Sequence, residues 1–412
     1  MHIRTCVAAI ALIAPMTLVA QQKVQLPARD KILSEKPAVV YSIGKEDGAD
    51  WEMLSGVRWV AFDARDNLYV LDGNNYRVLV FDATGKYVRT ISRPGQGPGE
   101  LMAPTGMTVM TDGTIVVSDG SRRAYSLFNS DGSFARNALY GEGEGVGGRL
   151  EGLHMHPRGG VVTQIFPLRK RGSGSPGAPT GERKVPLRWI NFSATGGSTL
   201  TLYEFTEPSI MPKVESAGRG ISVTTLPANW TPPSTFGVLP NGGVVVSDEA
   251  HYSVKVVSPA GIVERILERP IAPRRGTQKD KETFLKREAE SISQTARLSS
   301  RTGPSGGSTG ANAPSLARLE EMLRSAAWLD VIPVLRRVRS DPQGRIWVAR
   351  TPDDFGLYGP VDIIRADGAY IGTINNAMLP AAVSRTGRAA FIERDELGVE
   401  HVTVKRLPAT WQ

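Results

Sequence analysis

Cysteine is almost missing from this chain: Cys6 is the single one in 412 residues. It precedes the apolar stretch Val7 to Ala20, so a chain cleaved after that stretch keeps no disulfide and no thiolate chemistry. Histidine is scarce too, with five in all. No Ser-His-Asp arrangement stands out and no HExxH motif occurs. The glycine-rich run Gly95-Gln96-Gly97-Pro98-Gly99 has no lysine after it and no helix expected behind it, which excludes a P-loop. Long apolar runs are absent as well. Val7 to Ala20 falls short of the roughly 18–25 residues that span a bilayer.

That apolar stretch reads as a secretory signal over residues 1–20. Arg4 supplies the basic start, and Leu18-Val19-Ala20 before Gln21 supplies the cleavage site, with Leu18 large for its position. The expectation is an exported protein, periplasmic or secreted. Its net charge of +8 is unevenly placed. Residues 165–188 and 269–301 are strongly basic, and the rest of the chain is mildly acidic. The bland reading is solvated loops; the sharper one is docking to an anionic surface. No aromatic and basic reading surface accompanies the charge, so nucleic acid is not expected as a partner.

What is abundant is repetition. Trp59 to Ile91 and Gly106 to Ala138 share a register, with Asp72 and Asp119 47 residues apart and Gly85 and Gly132 likewise. A period in this range signals a repeat architecture. The turn pairs Arg65-Asp66, Asp112-Gly113, Arg158-Gly159, Asn241-Gly242, Gln343-Gly344 and Thr386-Gly387 each separate an apolar run from a β-rich one. A second turn, such as Ala83-Thr84-Gly85 or Pro259-Ala260-Gly261, follows in most units. Four strands and two tight turns per unit, repeated six times, predict an all-β, six-bladed β-propeller with antiparallel blades. One closed domain over residues 31–412 is expected. The sixth unit lacks a fourth strand, and Pro37 to Ile43 is expected to supply it from the N-terminus and close the ring.

Two insertions break the pattern. Leu168 to Lys184 is rich in Gly, Pro and Ser and reads as a mobile loop. Residues 273–330 fall between units four and five. Apolar stripes at Leu285, Ala289, Ile292 and Ala296, and at Leu316, Leu319, Leu323 and Ala326, predict two amphipathic helices. Ser299 to Ala313 between them reads as a disordered linker. The pair is expected to lie on one face of the disc, as a lid.

Val70 to Lys86 (VLDGNNYRVLVFDATGK) resembles the NHL repeat. Arg93 to Leu101, Ser340 to Val348 and Asp395 to Leu407 resemble a family of exported bacterial six-bladed β-propeller proteins. The resemblance covers most of the chain, implies the fold and is nearly silent on chemistry. Other six-bladed enzymes, the lactonases and gluconolactonases, hold a divalent metal in the central channel with Glu, Asn and Asp. The amidating lyase uses zinc and histidines. Neither ligand set can be placed on these residues.

The repeat reclassifies several tempting motifs. Gly141, Gly143, Gly145 and Gly152 echo Gly95, Gly97, Gly99 and Gly106 at a fixed shift, so the glycine-rich run is a connector. Asp72, Asp119 and Asp248 recur after second strands, as turn residues that accept backbone N–H bonds do. Outside the repeat stand a few binding candidates. His154 and His156 lie two apart on one strand face and could hold zinc with His251; the bland alternative is an inter-blade polar contact. Asp353 and Asp354, in the fifth unit's hairpin, and Trp328, near the lid's end, could line a pocket. No catalytic residue is assigned and no cofactor is expected. The resulting reading is a monomeric, non-catalytic disc that binds an envelope or extracellular protein, peptide or glycan at one face. The alternative is a metal-dependent hydrolase or lactonase acting at the channel.

Overall fold

A computed structural model describes residues 21–141, 144–146, 152–167, 182–192, 198–208, 212–217, 220–225, 228–301 and 316–411. The expected leader (1–20) and most of the expected mobile loop (168–181) and disordered linker (302–315) lie outside the described residues. The fold is a six-bladed β-propeller of four-stranded antiparallel sheets.

Blade one runs through Val57–Phe62, Leu68–Asp72, Arg77–Phe81 and Tyr87–Ile91. Its second and third strands are wholly buried, because both faces of a blade pack on neighbouring blades. Blade two repeats this from Pro104–Val109 to Phe134–Leu139. Blade three begins at His154–Met155, and its third strand, Glu182–Asn191, starts inside the expected loop. Blades four and five start at Thr235–Val238 and Leu335–Ser340. Between blades three and four lies a hairpin, Pro212–Ala217 with Gly220–Thr225, that the repeat did not predict.

Blade six has three strands of its own, Ala382–Val383, Arg388–Arg394 and Glu400–Arg406. The fourth is β2 (Ala38–Ile43), paired antiparallel with Glu400–Arg406. The ring therefore closes through the N-terminal strand, as the missing strand required. The strap begins earlier than residue 31. β1 (Gln22–Gln25) pairs parallel with Val263–Glu268 as a fifth strand of blade four, and Ile32 bridges Thr373 of blade five. The strap thus crosses the outer edges of blades four and five before completing blade six.

A buried ionic knot fastens the strap. Asp362 accepts hydrogen bonds from Arg269 (2.9 Å) and Tyr252 (2.8 Å), and Arg269 also donates to Asp30 of the strap at 2.9 Å. The Arg269 and Asp362 side chains are fully buried. Such a pair persists where every charge has a partner.

Strand alternation sorts the connections. Turns from first to second and from third to fourth strand share one face, and they are tight. Gly113 (φ 84°) and Gly132 (φ 89°) in blade two show why glycine recurs there. Loops from second to third strand and all inter-blade connections share the opposite face. That face carries the longest excursions, including the helices α1 (Gln278–Arg301) and α2 (Leu316–Ser325). Leu285, Ala289 and Leu323 form their small shared core, with Ile292 and Trp328 packed on it. Among the described residues, no helix is long and apolar enough to cross a membrane.

Candidate functional site

Side chains of alternate blades meet at the centre of the disc. Trp59, on the inner strand of blade one, meets the His154 ring of blade three edge-on at 5.5 Å. The Arg339 guanidinium of blade five lies 5.3 Å from the Trp59 ring centre, a cation–π distance. Arg339 is held by the Pro380 carbonyl (3.0 Å) and the Ala381 carbonyl of blade six. Trp59 can reach so far because Gly152 of blade three offers no side chain. A Cβ there would lie 3.0 Å from the indole. Side chains from three alternate blades thus converge on one aromatic plug.

The histidines do not assemble as a ligand set. His154 packs between Trp59 and Phe236, whose ring centre is 4.8 Å away. His156 is buried and stacked on Trp189 at 3.9 Å. Its Nδ1 accepts the Arg158 N–H (3.2 Å), so the other nitrogen, Nε2, donates to the Gly242 carbonyl (3.1 Å). Both nitrogens are committed, and burial depresses its pKa so that the ring stays neutral. His251 is more than half exposed and pairs with Glu249 at 2.7 Å. The structure does not bring His154, His156 and His251 together: His156 reaches the Gly242 carbonyl of blade four, and His251 belongs to a surface pair. Among the described residues, no three His, Cys, Asp or Glu side chains converge as a metal-holding group.

The repeated aspartates are architectural. Asp72 accepts the Ser55 N–H (2.8 Å), and Asp119 accepts those of Met102 (2.7 Å) and Ala103 (3.2 Å), tying each blade to the connection before it. Asp248 departs from this pattern; it takes Lys255 (2.8 Å) and the Tyr203 hydroxyl (2.9 Å). The glycine-rich run is likewise a connector, with Arg122 donating to the Gly95 and Gly97 carbonyls at 3.0 Å each.

The lid brings the remaining candidates together. Phe284 of α1 meets Trp328 at 5.8 Å and Phe355, in the turn after Asp354, at 5.4 Å. Trp328 also meets Trp230 at 4.7 Å and carries Lys281 over its face at 5.2 Å. Arg274 approaches Asp353 (3.6 Å) and Arg287 approaches Asp354 (3.4 Å), both across exposed carboxylates. Beside these contacts an open depression of about 410 Å³ runs along α1, lined by Glu282, Thr283, Lys286, Arg287 and Glu290.

The short segment at 229–230 anchors both legs of the lid. Asn229 exchanges backbone hydrogen bonds with Ala327 and Leu329, and its side chain donates to the Leu323 carbonyl at the end of α2 (2.9 Å). Trp230 packs its six-membered ring on Gly276, where a Cβ would meet it at 1.9 Å. Trp230 (φ 62°) and Phe355 (φ 54°) both adopt the left-handed conformation, which costs a bulky side chain about 1–3 kcal/mol. Sequence reasoning singled out Trp328, Asp353 and Asp354. It missed Phe284, Phe355 and Trp230; the signal for Phe284 was its place beside the Leu285 stripe.

A family model described as a 6-bladed beta-propeller matches residues 52–139. No curated protein matches the chain. Solved structures resemble it in fold. A member of the duf4221 family from Bacteroides vulgatus is 11% identical, covering 90% of this chain and 98% of its own, with a TM-score of 0.48. A Bacteroides fragilis protein is 9% identical over 94% and 100% of the two chains, at 0.47. A gluconolactonase from Xanthomonas campestris is 14% identical over 90% and 99%, at 0.40. By fold, this chain is a six-bladed β-propeller with a helical insertion between blades four and five.

Proposed function

We propose that this chain is an exported, non-catalytic binding protein that recognises a protein, peptide or glycan of the cell envelope or exterior. Recognition takes place on the face that carries the long connections and the lid. One observation carries the reading: Trp59, Arg339 and His154 fill the axis. A hydrolase or lactonase working at the channel needs that space for metal and substrate. Rigid blades presenting long loops on one side are, in contrast, what a recognition surface needs. The leader-like first 20 residues support export.

The test compares the full chain with a variant in which residues 278–325 are replaced by a short Gly-Ser link. Saturable capture of an envelope component by the first and not the second supports the reading. Hydrolysis of a lactone that depends on added divalent metal and disappears with chelator would overturn it.

A further inference from the structure

We infer that blades five, six and one, on the face of the long connections, form the docking surface for a protein segment that presents an acidic residue among apolar ones. The inference rests on the binding reading above and names its class of partner.

Large apolar side chains are exposed unevenly in the loops of that face. Leu357 (66% exposed) and Tyr358 (49%) stand in the turn of blade five, and Leu397 (76%) between the second and third strands of blade six. Met53 (38%) stands in the connection into blade one. The matching loops of blades two, three and four carry none among the described residues. Exposed apolar groups gathered on neighbouring blades of a rigid disc mark a contact with another protein. Leu357, Leu397 and Met53 offer a sugar ring no aromatic face to stack on.

Toward the axis the same sector is basic. The six inner strands carry Arg58, Arg336, Arg337 and Arg339 and no Asp or Glu, and these arginines belong to blades one and five. A β-bulge recurs at one place in blades one, two and five, where it inserts Arg58, Thr105 and Arg336. Two of the three are taken up within their own blade. Thr105 shares a hydrogen bond with Ser118 (2.8 Å), and Arg336 donates to the Gly356 and Leu357 carbonyls. Arg58 differs. Its stem lies across Gly73, which has no side chain to displace it. It is exposed, and among the described residues it makes no hydrogen bond or ion pair. A guanidinium so placed is a donor fork for a carboxylate. Carboxylates on the surrounding loops already have partners: Asp353 faces Arg274, Asp354 faces Arg287, Asp395 faces His401 and Glu400 holds Arg394.

Arg336 links the two halves of the surface. It pins the turn that presents Leu357 and Tyr358, so the apolar part is in place before a partner arrives. Burial and the Arg337 charge push its guanidinium below the usual value, with Asp354 opposing them. A negative charge brought by the partner would relieve that repulsion.

The experiment pans a random dodecapeptide library displayed on phage against the full chain, then titrates the enriched peptides by calorimetry. The expected peptides carry Asp or Glu beside Leu, Ile or Phe. Arg58→Gln should weaken them about tenfold, the worth of one charged hydrogen bond. Leu397→Ser should weaken them about fivefold through lost apolar contact. Both side chains are exposed, so the melting temperature should hold. Ile262→Ser, exposed on the opposite face, should change nothing. Added salt should weaken binding to the parent more than to Arg58→Gln. A library that yields no saturable binder, or only binders indifferent to Arg58→Gln and Leu397→Ser, overturns the inference. If no peptide binds but polygalacturonate does, and Arg58→Gln abolishes it, the surface reads a glycan and the inference falls. If lid-dependent capture of an envelope component persists undiminished in both variants, this sector falls and the wider binding reading stands. If both tests fail, both readings fall.

Discussion

Arg339 lies over the indole of Trp59 at 5.3 Å, although the two side chains come from blades five and one, with blade six between them. The contact therefore joins inner strands that share no hydrogen bonds. Its consequence is a disc whose axis is bridged by side chains of blades that are not neighbours.

Trp59→Ala should open that axis. The ring is partly buried, so the loss should be near half of that for a fully buried aromatic, about 2 kcal/mol. Arg339→Ala should cost less, and the double variant less than the sum, with a coupling of about 0.5–1 kcal/mol. Denaturant titration of the four proteins gives the cycle. Strict additivity would show that the two side chains do not interact.

The strap rests on Asp362. Replacing it with Ala would leave the fully buried Arg269 guanidinium without its one fully buried counter-charge and remove an acceptor from Tyr252. The expected loss is about 3–5 kcal/mol. The double change Arg269→Met with Asp362→Leu should recover much of it, because no uncompensated charge then stays buried. A double variant as unstable as the single would mean that the ion pair holds the strap by itself.

The ring was legible because its signals recur. Each tight turn repeats the same chemistry, and the shortfall in unit six pointed to Pro37 to Ile43, found as β2. The first part of the strap was not legible. β1 is four residues, QKVQ, with mostly exposed side chains, and its parallel pairing leaves no turn to announce it. The plug was hidden for a different reason. Trp59 and Arg339 read as ordinary positions of two units, and only closure of the ring brings them together. In the insertion, the apolar stripes predicted two amphipathic helices, and Leu285, Ala289 and Leu323 of those stripes form their shared core. They could not predict Trp230, whose partner Gly276 lies 46 residues away in sequence. Strand alternation gave the direction of His154 and His156 and said nothing of what packs on the first or occupies the ring nitrogens of the second.

Gly276→Ala tests how the lid is seated. The added methyl would lie 1.9 Å from the Trp230 ring, so one of them must move. Overpacking of this kind costs about 1–3 kcal/mol, and here the strain falls on the lid's first leg. Limited proteolysis should then cut within 278–301 at protease concentrations that leave the parent intact, while the blades keep their melting transition. Equal resistance in both proteins would show that the lid is held elsewhere.

Acid should loosen the lid before the blades. Thr277 and Asp280 cap α1 reciprocally: Asp280 accepts the Thr277 N–H at 2.8 Å, and Thr277 Oγ1 accepts the Asp280 N–H at 3.2 Å. Arg274 binds the same carboxylate at 2.7 Å. That hydrogen bond, with help from Thr277, holds the Asp280 carboxyl well below its ordinary value of 3.8. A carboxyl whose folded pKa is depressed stabilises the folded form above its unfolded value, and that contribution is lost as pH falls through the folded one. Amide exchange over 278–293 should accordingly quicken as pH drops below about 4, once corrected for the intrinsic rate. In Asp280→Asn the corrected exchange should be faster already at neutral pH, by about 1 kcal/mol of lost cap, and should respond less to acid. If the parent and variant showed the same acid response, the pH sensitivity of this segment would not come from Asp280.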